Sequence, residues 1–147
     1  MPFFFTLAPL LRLRQSIERQ KTMALQAANL ALMRGQEQLT QLDAFLSDSA
    51  GVDREGLAAG RRGAELQFAA ALRENMQRVR RELQAEICNL ELVRQQAAGA
   101  YHQAYRDREV LAALRIRQLA DYRRERLRRQ QQELDANYLL QRWHRPM

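Results

Sequence analysis

A chain of 147 residues with 28% charged and 46% hydrophobic side chains is sized for one ordered domain rather than a disordered tail. Its 7% aromatic content, 6 glycines, and prolines confined to positions 2, 9 and 146 argue against a compact α/β core and leave Ala8 to Arg145 open to helix. The net charge is +7 and the positive side chains are almost all arginine; residues 105–147 hold 11 Arg against 6 acidic side chains, a basic block that suits nucleic acid, acidic lipid or an acidic protein alike.

The opening run MPFFFTLAPLL lacks a basic start and a small-x-small cleavage pattern, and Arg12 and Arg14 follow at once, so it reads as structure rather than as a secretion signal. A first helix is expected over about residues 6–47, with Pro9 tolerated in its first turn. Its apolar positions are Leu10, Leu13 and Ile17, then a heptad series Leu25, Leu32, Leu39 and Leu46 with Ala28, Gly35 and Leu42 between. The phase slips by one residue between Ile17 and Leu25, which predicts a local change of supercoil. Gly35 lies on the seam, where it costs a helix about 1 kcal/mol against alanine and predicts a close helix approach.

Residues 48–63 read as a connection, because Ser, Asp and Gly interrupt the stripe and GLAAGRRG brings three glycines into eight positions, as a frayed or separate short helix would. Asp53 and Glu55 are placed to favour the start of the next helix electrostatically. No Gly-Lys-Ser/Thr follows, so this is not a phosphate loop.

A second helix is expected over about 64–142, roughly 120 Å at 1.5 Å per residue. One heptad series is Met76, Leu83, Leu90, Ala97, Ala104 and Leu111; the other is Leu72, Val79, Val93, Ala100 and Leu114, broken by Glu86 and Asp107. Steps of three and four make the narrow seam of a coiled coil. Past Leu114 the same positions turn polar and only a thinner set continues, Leu119, Tyr122, Leu127, Leu134 and Tyr138. A short connection makes the helices antiparallel neighbours, so the first covers the second to about position 106. The fold class expected is all-α, an antiparallel two-helix coiled coil with a longer second helix. The last third of that helix, with Arg123, Arg124, Arg126, Arg128 and Arg129, should lie uncovered.

No constellation for catalysis, cofactor or metal binding emerges. His102 and His144 have no Cys or second His at ligand spacing, and Glu82 and Glu86 sit among Arg78, Arg80 and Arg81 as solvated helix pairs. Cys88 is the one cysteine, which excludes an intrachain disulfide, and it is expected buried or half-buried as a small apolar residue. No stretch approaches the ~20 apolar residues of a membrane span, which points to the cytoplasm. The sharper candidates are surfaces. Phe68, Leu72 and Met76 form an i, i+4, i+8 stripe that is either a docking surface or the cap of the core. The arginine block is either a solvated face or an unpaired helix that needs another protein to stay folded.

The opening Phe5-x-Leu7-x-x-Leu10-Leu11-x-Leu13-Arg14, the Glu37-Gln38-Leu39-x-x-Leu42 segment, the Phe68-x-x-x-Leu72-x-x-x-Met76 stripe and the late arginine-rich helix ending in Glu133-Leu134-Asp135 resemble the FliJ family of flagellar type III export proteins. YscO-type proteins of virulence secretion systems share these features. The resemblance implies a non-enzymatic coiled coil, stalk-like, that engages the hexameric export ATPase and contacts the membrane export gate protein and export chaperones. It places the protein in the cytoplasm, peripheral to the inner membrane, in flagellum assembly, motility and chemotaxis. It assigns gate contact to Phe68, Leu72 and Met76, with Asn75 and Val79 departing from the family's flanking positions. ATPase contact is expected at Phe5, Leu11 and Arg14 with Arg123, Arg124, Arg126, Arg128 and Arg129. Two other classes stay open: a basic coiled coil binding nucleic acid, against which the interleaved acids argue, and a passive scaffold or homodimer.

Overall fold

The computed structural model describes residues 2–60 and 62–145. Two helices hold nearly all of them, α1 (Ala8–Ala58, 51 residues) and α2 (Gly63–His144, 82 residues), and no strand occurs among the described residues. They pack as an antiparallel coiled-coil hairpin with the longer helix second, the fold class the heptads predict. The contacts divide into two units, one of Met1–Arg19 with Gln103–Met147 and one of Gln20–His102. Their boundary in α1 falls inside the Ile17–Leu25 interval where the heptad phase slips.

In the Gln20–His102 unit, Ala28, Leu32 and Gly35 are buried and Leu25, Leu39, Leu42 and Leu46 half-buried, against half-buried Met76, Leu83, Leu90 and Ala97 of α2. The second α2 column differs from the expected one. Leu72, Val79 and Val93 are 37%, 41% and 51% exposed, whereas Arg73, Arg80, Ile87 and Arg94, one residue on, are half-buried. The columns are adjacent on the helix, so spacing alone does not separate them. Arginine's reach does: Arg80 Nε donates to Asp43 across the seam at 2.5 Å, and Arg73 pairs with Asp53, so these side chains lie along the seam with their charges at its edge. Asp43, through this hydrogen bond and its charge, raises the Arg80 pKa above the ordinary guanidinium value.

Helix α1 also runs further than expected, through the segment read as a connection, and only residues 59–62 join the helices. Ser, Asp and Gly each cost a helix only about 0.5–1 kcal/mol. Here Ser49, Ala50 and Asp53 are half-buried and Gly56 buried, and packing outweighs that propensity. Asp53 therefore closes an ion pair with Arg73 instead of starting the second helix. The true stop is Gly60, whose φ of +75° is the left-handed conformation of a helix C-cap. The Ala59 N–H donates to the Glu55 carbonyl at 2.9 Å, closing the last turn. On the far side, the N–H groups of Glu65 and Leu66 donate to the Arg62 carbonyl at 3.1 and 3.2 Å, and Glu65 adds favourable charge to the first turn of α2.

Gly35 marks the close approach its position predicts. A Cβ there would meet Ile87 Cγ1 and Leu90 Cδ1, each at 3.3 Å, whereas a Cβ on Gly51, in the same helix, would meet nothing within 4 Å. Gly35→Val should therefore lower stability by about 1–3 kcal/mol through overpacking. Gly51→Ala should raise it by about 0.5–1 kcal/mol. Thermal melts followed by circular dichroism at 222 nm check both signs.

Candidate partner-binding surfaces

In the unit that carries the termini, residues 2–7 form a non-helical arm ahead of α1, joined to it by Ala8 N–H donating to the Phe5 carbonyl at 3.1 Å. The arm folds inward because it is apolar: Phe5, Leu11 and Leu111 are buried together, with Phe3, Leu7, Ala8, Ala112 and Leu114 packed against them. Phe3 reaches Tyr122, ring centroids 5.5 Å apart at a 52° tilt. Ion pairs line the flank. Arg14 donates to Asp107 at 3.3 Å; Arg108 pairs with Glu18 and Glu109 and lies 5.1 Å over the Tyr105 ring.

The residues of the expected ATPase contact lie in different surroundings. Phe5 and Leu11 are 4% and 5% exposed, so they offer no surface to a partner and instead pin the arm. Arg14 is half-exposed but committed to Asp107. Cover of α2 extends to Tyr122 rather than to about position 106, because the arm continues past the first turn of α1. From Arg126 to Arg145 every described residue is exposed.

From Arg123 on, the arginines of the block are of two kinds. Arg124 donates to Asp121 at 2.8 Å, while Arg128 and Arg129 share Glu125 at 2.8 and 3.3 Å, one helical turn apart. The Arg128 hydrogen bond, with its charge and those of Arg129, holds the Glu125 carboxyl below the ordinary glutamate value, and Glu125 in turn raises Arg128. Arg123 and Arg126 make no ion pair among the described residues and face solvent. Apolar residues share the segment: Leu127, Leu134, Tyr138, Leu139, Leu140 and Trp143 are all more than half exposed.

In the Gln20–His102 unit, the stripe at the start of α2 grades from Phe68, 72% exposed, through Leu72 to half-buried Met76. Phe68 is therefore not covered as a core cap would be. It lies with Leu72 in a shallow depression edged by Ser49, Ala64 and Glu65, and a second depression on the α1–α2 flank is lined by Gln38, Leu42, Val79, Leu83 and Glu86. The α1 side of this flank was not singled out from the sequence. Phe45, three residues after Leu42, is 49% exposed, and a phenylalanine off the heptad register is the signal the sequence offers for it.

Cys88 is exposed, contrary to expectation, because it lies outside both seam columns. Among the described residues no group of three or more His, Cys, Asp or Glu could hold a metal ion. No described helix is long and apolar enough to cross a membrane.

A family model described as flagellar FliJ protein matches residues 3–147. No curated protein and no solved structure matches the chain.

The Glu125 cluster makes a titration prediction. A carboxyl whose folded pKa is depressed adds stability above its unfolded value, and this is lost as pH falls through the folded one. The Glu125 carboxyl carbon, followed by NMR, should titrate below the ~4.3 of free glutamate and move back toward it in Arg128→Gln. Tail helicity should fall across the same acidic window.

Proposed function

Because the chain belongs to the FliJ family of flagellar proteins, we propose that this component of the flagellar export apparatus couples the export ATPase to the export gate without chemistry of its own. The observation that carries the reading is the uncovered end of α2, where every described residue from Arg126 to Arg145 is exposed on a helix that has outrun its partner. Most helical stability in proteins comes from packing of an apolar face, a packing this extension lacks, so a second protein completes it. The exposed Arg123, Arg124, Arg126, Arg128 and Arg129 suit an acidic surface, and the proposed partner is the ATPase ring. Phe5 and Leu11 support this contact indirectly, by fixing the arm against Leu111 and so setting where cover ends.

The gate contact is proposed at exposed Phe68 and Leu72 with half-buried Met76 next on the stripe, and the depression lined by Leu42 and Val79 is a second surface for the same contact. A large exposed aromatic ring, with a leucine and a methionine next on the stripe, is the composition of an interface rather than of a solvated helix face. Export chaperones are further proposed partners. The protein then works in the cytoplasm, peripheral to the inner membrane at the gate.

The test is ATPase turnover. Purified chain should raise oligomerisation and hydrolysis by the export ATPase of the same organism, and no effect at low salt would contradict the reading. Arg123→Glu with Arg126→Glu should weaken stimulation about tenfold at low salt, since steering charges act through encounter. Phe68→Asp should leave stimulation intact while abolishing pull-down of the soluble domain of the gate protein.

A further inference from the structure

The uncovered tail keeps the phase of the covered helix. Counted in sevens from buried Ala104 and Leu111, the α2 face that meets Leu11 and the arm passes through Gln118, Glu125, Gln132 and Leu139. Counted from Tyr122, it passes through Arg129, Ala136 and Trp143. The face is thus polar just beyond the arm and apolar again in its closing turns, where Leu140 widens it beside Leu139. Leu139, Leu140 and Trp143 are 54%, 57% and 86% exposed, and Trp143 is the one tryptophan of the chain.

We propose that Ala136, Leu139, Leu140 and Trp143 are the anchor of the tail, seated on an acidic α-helical surface of the partner protein, while the arginines before them steer its approach. This rests on the ATPase reading above and assigns the division of labour within that contact. The occupant is a helix because Ala136, Leu139 and Trp143 stand at the three-and-four spacing of a coiled-coil seam, and knobs at that spacing fit the holes of another helix. It is acidic because residues 123–145 carry seven arginines against Glu125, Glu133 and Asp135. A second copy of the chain would bring these like charges together. The anchor is the apolar end because exposed arginines, several already paired within a turn, contribute little net affinity and are screened by salt. A desolvated tryptophan with two leucines beside it has the make-up of a hot spot.

Binding kinetics of the full chain to the purified export ATPase, measured at several salt concentrations, separate these roles. Trp143→Ala and Leu139→Ala should raise the dissociation rate about thirtyfold with the association rate unchanged, and Trp143→Phe should retain most of the affinity. Arg123→Gln with Arg126→Gln should slow association and flatten its salt dependence, leaving dissociation nearly unchanged. Unaltered circular dichroism in Trp143→Ala is expected, since that ring is almost free of internal contacts. An unchanged dissociation rate in Trp143→Ala overturns the anchor and leaves the ATPase reading standing. Absence of any binding at low salt overturns both. A dimer of the chain that dissociates on Trp143→Ala replaces the acidic partner with a second copy.

Discussion

The structure depends on a narrow seam between helices of unequal length. An antiparallel neighbour covers residue for residue, and α1 has 51 residues against 82 in α2. The buried apolar side chains are few, Phe5, Leu11, Ala28, Leu32, Ala104 and Leu111, because a two-helix pair offers one shared face and no third layer. Stability comes from that single line of contact, with arginine stems and cross-helix ion pairs at its edges, and it ends where α1 and its arm end. What lies beyond is helix by continuity, with its described residues from Arg126 on exposed.

Much of this was legible in the sequence, since a heptad is a physical requirement as well as a pattern. The series from Met76 to Leu111, the phase slip after Ile17 and the glycine at 35 each carry a direct structural consequence. The neighbouring column was not legible. Leu72 and Val79 satisfy the spacing as well as Arg73 and Arg80 do, and only the acids at 53 and 43 on the other helix decide which column faces inward. The connection was misplaced for a related reason: Ser49 and Asp53 have poor helix propensity, but the contacts that override it come from residues some twenty positions away.

The candidate surfaces divide along the same line. Phe68 and the arginines past Tyr122 stand out by composition and are exposed. Phe5 and Leu11 resemble contact residues in sequence yet are the most buried side chains of their unit, because a short apolar arm has no other way to shed water than to fold onto Leu111. Phe45 and Cys88 escaped a reading built on seams, being off register and outward-facing. The division between charge that guides an encounter and apolar surface that holds it has no signature in net charge or heptad count. The division proposed above rests instead on the exposure and local ion pairing of each arginine and on the exposure of Trp143.

Amide hydrogen exchange on the full chain, alone and with the export ATPase, tests the central claim most directly. Residues from about Arg126 to His144 should exchange rapidly in the free protein, while Ala104 to about Tyr122 are protected, and the tail should gain protection when the ATPase is added. A tail equally protected in the free protein, or one whose exchange the ATPase leaves unchanged, would contradict the account.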